Sequence, residues 1–442
     1  MYMETPISST TCSSEELSSI RKHHLLLASV IGLGIGAVAV MFEWTVSLVS
    51  KLQGHVIQFF ENENYDLSLA GLVCSVVVCG VVGAFVGALT QFVAPEAGGS
   101  GIPHVKAVLS HLQSLRGIRI MLVKFIGGAL VIGTRFSLGR EGPTIHIGAS
   151  IADEVAKRSK VPAHLKDHLI ACGAGAGLAA AFNAPLAGFL FIIEELRREV
   201  NSITLGMALL GTVLADAVVQ FYKGPDPMLD VPHLGSLPIE TIPAVVIIAL
   251  GATFGGLLFN KVLVLGVVKV PPGIPLWVRG AVVGCLVGAC FYVVPPLVAD
   301  EQFVFKGLMH RTSLEQASLA ILGLYFIFKL LLTVACYATG VPGGIFAPML
   351  VQGAFVGLLM AKLASLASVA VPHEAVCALL GMTAFFAASV RAPFTGVVLL
   401  AEMTNGFALL LPLLGVALIG YFIGELSGSK PIYERLLEAS RR

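Results

Sequence analysis

Gly139-Arg140-Glu141-Gly142-Pro143-Thr144-Ile145-His146-Ile147-Gly148 sets a carboxylate and a guanidinium between two glycines, directly before a proline and an apolar run. Proline is pre-organised for the first turn of a helix, so Pro143 reads as a helix start with Glu141 just ahead of it. The first N–H groups of a helix lack intrahelical acceptors, and together with the helix dipole they attract negative charge. Either the Glu141 carboxylate or a free anion answers that attraction, and a place that holds either one is a gate. A loop ion pair between Arg140 and Glu141 is the plainer alternative. What surrounds the stretch decides between them.

The surroundings are apolar. Of 442 residues, 56% are hydrophobic and 12% charged, with a mean hydropathy of +0.88. A soluble domain carries about twice that charged fraction. Segments 25–50, 68–93, 203–221, 242–268, 280–298, 316–338 and 408–424 are each long enough to cross a bilayer. The chain therefore reads as an all-α polytopic membrane protein, in contact with membrane lipid. A net charge of +1 excludes a general nucleic-acid binder. The eight cysteines form no C-x-x-C pair and fit packing better than disulfides or metal ligands. No cofactor or metal is expected.

The first 16 residues are polar and contain no cleavable signal. A short interfacial helix is expected from Ser13 to His24. Basic residues collect in one set of connections: Arg21 and Lys22; Lys157, Arg158, Lys160 and Lys166; Arg197 and Arg198; Lys261, Lys269 and Arg279; then Lys430, Arg435, Arg441 and Arg442. The 222–240 connection sets Lys223 against Asp226, Asp230 and Glu240. The positive-inside bias puts both termini in the cytoplasm and 222–240 outside a cell inner or plasma membrane.

Five apolar segments look too short or too broken to span: 103–110, 143–156, 185–196, 346–360 and 392–403. Each starts near a proline after small residues. Irregular backbone at membrane depth survives only where protein or a water-filled cavity satisfies it, as in the discontinuous helices of secondary transporters. An internal repeat strengthens this. An offset of 205 carries Lys124 onto Lys329, Thr134 onto Thr339, Gly139 onto Gly344, Pro143 onto Pro348 and Gly148 onto Gly353. An offset of 208 carries Ala184-Pro185 onto Ala392-Pro393, Gly188 onto Gly396 and Glu194 onto Glu402. The expected organisation is a segment 1–23, membrane repeats 24–215 and 216–428 of inverted topology with tilted, discontinuous helices, and a tail 429–442.

Gly99-Ser100-Gly101-Ile102-Pro103, Gly139-Arg140-Glu141-Gly142-Pro143, Gly344-Ile345-Phe346-Ala347-Pro348 and the late Tyr433 stand in an order that resembles the CLC family of chloride channels and chloride/proton antiporters. Ala181-Phe182-Asn183-Ala184-Pro185 and Arg391-Ala392-Pro393-Phe394 extend the resemblance over nearly the whole chain. It implies a chloride site formed by Ser100, Tyr433 and the backbone N–H groups of Ile345 and Phe346. Gly99, Gly101, Pro103, Gly142 and Pro143 would shape its turns. Hydroxyl and N–H donors suit a transported anion because they bind it without trapping it. Taken singly, Ser100 also fits a helix cap and Tyr433 an interfacial anchor.

By the same resemblance Glu141 is the gating glutamate and Glu195 the inner proton glutamate of antiporters, with Glu194 helping to hydrate that route. Arg140 supports positive potential or local structure. The rival for Glu194 and Glu195 is an interfacial cluster with Arg197 and Arg198. His104 and Lys106 stand where bacterial antiporters usually carry acids, which leaves the local salt bridges open. His146 reads as a packed, hydrogen-bonded histidine, Lys124 and Lys329 as neutralising internal carboxylates or snorkelling, and Glu402 as structural. Serine at position 100, rather than proline or methionine, implies chloride rather than nitrate or fluoride. The nine residues after Tyr433 leave no room for a cytoplasmic nucleotide-binding pair.

These readings converge on a chloride/proton antiporter, not an enzyme, with chloride and protons as its ligands and a homodimer implied by the family. A passive chloride channel of the same fold is the alternative. Gly98-Gly99-Ser100-Gly101 also fits the short G-x-S-G pattern of an intramembrane serine protease, with His104 or His146 as base. Two of its four letters are glycine, of which the chain has 48, and no other feature of those proteases is present.

Overall fold

The computed structural model describes residues 14–59, 68–197, 202–229, 231, 237–298 and 318–441. The first half runs α1 (Ser14–Phe59), α2 (Leu69–Val93), α3 (Ile102–Leu109), α4 (Gly117–Gly133), α5 (Glu141–Arg158), α6 (Ala163–Phe182), α7 (Pro185–Phe191) and α8 (Ser202–Lys223). A π turn, Ile192–Arg197, continues α7. The second half runs α9 (Ile242–Lys269), α10 (Leu276–Val293), α11 (Leu319–Ala338), α12 (Phe346–Leu366), α13 (Glu374–Val390), α14 (Pro393–Thr404), α15 (Leu410–Leu426) and α16 (Ile432–Ala439). Eight helices of the described residues are long and apolar enough to cross a membrane.

Three expectations shift. The interfacial helix over Ser13–His24 is not separate: from Ser14 onward it is the unbroken start of α1, and Ser13 lies outside the described residues. Segment 346–360, expected to be too short to span, extends to Leu366 and becomes the eighth candidate span. Its glycines do not break it, because they admit a neighbour: a Cβ on Gly353 would lie 2.7 Å from the Met382 Cα, and one on Gly357 2.4 Å from the Cys377 carbonyl oxygen. Helix α5 begins at Glu141, not at Pro143, so Glu141 belongs to the first helical turn.

The halves interlock rather than sit side by side. Helix α2 lies along α10 at backbone contact, with the carbonyl oxygen of Gly83 2.1 Å from where a Cβ on Gly280 would stand. Without a hydrophobic force between helices in lipid, such close packing is what holds spans together. Each half also breaks its chain in the same way. Helices α6 and α13 end at the left-handed residues Asn183 and Arg391, φ 54° and 66°, and Ala-Pro then starts α7 and α14. Asparagine tolerates that conformation locally. Arg391 is held in it by its guanidinium, which donates to the Ala388 carbonyl at 2.6 Å and pairs with Glu425 at 3.3 Å.

Candidate functional site: a buried constriction between the two halves

Three loops meet at the centre. Gly139 and Gly344 exchange both backbone hydrogen bonds, N–H to carbonyl, at 2.8 and 2.7 Å. Gly99 donates to the Val341 carbonyl at 3.2 Å, and Gly343 donates to the Gly99 carbonyl at 3.0 Å. The contact leaves no room for side chains: a Cβ on Gly142 would lie 2.7 Å from the Ser100 carbonyl oxygen and 2.8 Å from the Gly344 Cα. Lys124, fully buried in α4, donates to the Gly99 carbonyl; it secures a loop rather than neutralising a carboxylate.

Around this knot stand the residues singled out from the sequence. Ser100, Glu141, Ile345, Phe346 and Tyr433 are all buried, each 1% exposed or less. The Ser100 hydroxyl makes no helix-cap bond; α3 is capped by Gly101, φ 85°, without a side-chain contact. The Ser100 Oγ and the Tyr433 hydroxyl both lack a hydrogen-bond partner. A buried unsatisfied hydroxyl is costly, and here there are two, Ser100 in the loop that meets Gly142 at the start of α5 and Tyr433 within electrostatic reach of Glu141. Glu141 Oε2 lies 2.1 Å from where a Cβ on Gly139 would be, so the carboxylate fills the space that this glycine leaves open. The Phe346 ring packs against Phe182 and Phe386, with centroids 5.2 and 4.5 Å away.

The carboxylates near the site part company. Glu195 is buried and ion-paired to Lys106 at 2.6 Å, which answers the question left open at Lys106; Glu434 adds a longer contact at 3.8 Å. Glu194 faces another way. It accepts from the Phe394 and Thr395 N–H groups at 3.1 and 2.6 Å and from the Thr395 hydroxyl at 2.6 Å, capping α14. The rival reading, a cluster of Glu194 with Arg197, gives way to this cap; Arg198 lies outside the described residues. Glu402 does the same in reverse, accepting from the Leu186 and Ala187 N–H groups at 3.0 and 2.8 Å at the start of α7. Arg140 pairs with Glu43 at 2.8 Å and donates to the Ala181 carbonyl at 3.0 Å, while Lys223 also pairs with Glu43.

A cavity of about 470 Å³ reaches Ser100 from the end of the molecule that carries α16. Gly99, His104, Arg279 and Leu436 line it. Sequence spacing missed three features: Glu43 beside Arg140, Tyr337 with its hydroxyl 3.4 Å from the Ser100 nitrogen, and the contact of His104 Nδ1 with His146 Nε2 at 2.9 Å. Each joins residues more than forty positions apart, and no local pattern announces them.

A membrane transporter of two inverted repeats, with broken helices converging on a buried polar constriction, is the class that this fold and site define. Residues 81–425 match the family described as voltage gated chloride channel, and the chain belongs to that family. It is 36% identical over 426 residues to the H(+)/Cl(-) exchange transporter ClcA of Salmonella paratyphi A, covering 93% of this chain and 88% of that protein. The ClcA of Vibrio parahaemolyticus is 34% identical over 425 residues, with 93% and 89% covered. The crystal structure of a slow cyanobacterial Cl-/H+ antiporter superimposes with a TM-score of 0.86 at 32% identity, covering 94% of this chain and 97% of that one.

Proposed function

We propose that this chain exchanges chloride for protons across a membrane, with both termini in the cytoplasm, as a homodimer. The observation that carries the reading is the pair of unsatisfied buried hydroxyls, Ser100 and Tyr433, set with Glu141 at the junction of the three loops. Chloride accepts from the Ser100 and Tyr433 hydroxyls and from the Ile345 and Phe346 N–H groups. The ionised Glu141 carboxylate competes for the same donors. Protonation removes its charge, the side chain withdraws, and chloride passes. The proton and the anion thereby exclude one another at a single place, which is the requirement for exchange. The cavity beside α16 is the cytoplasmic entrance. Glu195 passes protons from that side once its bridge to Lys106 opens.

That bridge favours a second reading, a passive chloride channel, because a carboxylate neutralised by a lysine holds no exchangeable proton. The test is proton uptake into liposomes under an outward chloride gradient. Exchange predicts uphill proton uptake that Glu195→Gln abolishes while chloride efflux continues. A wild-type protein that moves chloride and no protons is a channel.

A further inference from the structure

We propose that His104 and His146 form a second proton-binding site, which faces the inner cavity and sets the affinity of the central site for chloride. The inference rests on the chloride reading of Ser100 and Tyr433 and adds to it a charge that follows pH.

His104 projects from the first turn of α3, and His146 from α5. Their rings meet edge to face with centroids 5.0 Å apart, and Nδ1 of His104 lies 2.9 Å from Nε2 of His146. His146 is fully buried and His104 is 9% exposed. The outward nitrogens, Nε2 of His104 and Nδ1 of His146, have no hydrogen-bond partner. His104 lines the cavity together with Ser100. On the other side, a Cβ on Gly101 would fall 2.4 Å from His146 Nδ1, so that ring is seated against the residue next to Ser100. The pair therefore spans from the cavity to the loop that presents the anion-binding hydroxyl.

Two neutral imidazoles joined by one hydrogen bond hold two hydrogens on four nitrogens. One hydrogen lies between the rings and one on the outer nitrogen of the accepting ring. The outer nitrogen of the donating ring is bare. A hydronium ion in the cavity gives up its proton there: one of its O–H bonds breaks, an N–H bond forms, a water is left, and the pair carries a single positive charge. That charge then stands beside a site built for an anion.

The surrounding charges leave this role open. Glu96 is held by Arg116 at 2.5 Å, and Glu195 and Glu434 are engaged by Lys106. Lys124 is committed to the Gly99 carbonyl, and Arg279 lies across the cavity. Each carboxylate facing the pair has a cationic partner. The positive neighbours oppose the proton while the site is empty, and an occupying chloride removes that opposition. By linkage, chloride favours protonation of the pair and protonation favours chloride by the same factor.

Glu141 titrates too, so the test is made where it cannot. In the Glu141→Gln protein, chloride affinity is measured by calorimetry at pH 7.5 and pH 5.5. Affinity tightens about fivefold or more on acidification, a coupling of ordinary size for two interacting sites. In Glu141→Gln/His104→Gln and Glu141→Gln/His146→Gln the affinity is flat. Repeating the wild-pair titration in buffers of different ionisation enthalpy reports a proton taken up with each chloride. A purely structural role for the pair lowers affinity equally at both pH values and overturns the inference. So does a Glu141→Gln protein with pH-independent affinity, or two double variants that keep the full dependence. A Glu141→Gln protein that binds no chloride at either pH overturns the chloride-site reading itself, and the pair's role with it.

Discussion

Glu141 and Phe346 occupy the same position in the two repeats, 205 residues apart. Both sit at the start of a helix, α5 or α12, just past a glycine that trades backbone hydrogen bonds with its counterpart. One half places an ionisable carboxylate there. The other places a ring wedged between Phe182 and Phe386. The scaffold is symmetric and the chemistry is not. A pathway with a carboxylate from each half would carry two like charges in a dry constriction, which repel and hold a shared proton. In the proposed exchange, one acid against one fixed aromatic wall gives a gate with a single titrating group.

The largest effect expected from breaking this contrast comes from the acid. Glu141→Gln keeps the size and removes the charge, so chloride moves without a proton partner and chloride-driven proton uptake falls to background in liposomes. The next effect concerns the neighbouring position, where Gly142 corresponds to Ala347. Gly142 is approached by a third loop, at the Ser100 carbonyl. Gly142→Ala therefore forces backbone apart and costs about 1–3 kcal/mol, as overpacking does. Ala347→Gly costs about 0.5–1 kcal/mol, the conformational price of glycine in a helix. Thermal unfolding in detergent separates them; equal losses would mean that the two loops are equally crowded.

The smallest effect tests where symmetry persists. Glu194 and Glu402 cap each other's half, so Glu194→Gln and Glu402→Gln each lose about 0.5–2 kcal/mol, the range of a helix cap. The two losses match to within a factor of about two, on the usual scatter of such measurements. A much larger loss of proton transport than of stability in Glu194→Gln would restore it to the proton route.

The repeat was the most legible part of the fold. The offset of 205 read from the sequence is the one that joins Gly139 to Gly344, and the offset of 208 is the one that relates the two caps. Apolar length revealed seven of the eight candidate spans. It failed for α12, where small residues that resemble a break instead serve close packing. The loops of the candidate site were legible because glycine and proline report backbone requirements locally. The partners of Glu194, Lys106, Lys124 and His146 were not, since each is supplied by a distant element and depends on how the helices cross.

The exchange of hydrogen bonds between Gly139 and Gly344 has a kinetic consequence. With Gly139 tied to Gly344, the backbone just before Glu141 is fixed across the molecule, and in the proposed exchange cycle opening is a movement of the side chain rather than of a hinge. In that cycle it is a rotation about the bonds of one buried side chain, slower than the picoseconds to nanoseconds in which an exposed side chain changes rotamer. In the proposed cycle the carboxylate releases its place only when a proton reaches it, so slowing proton supply from either side slows the exchange.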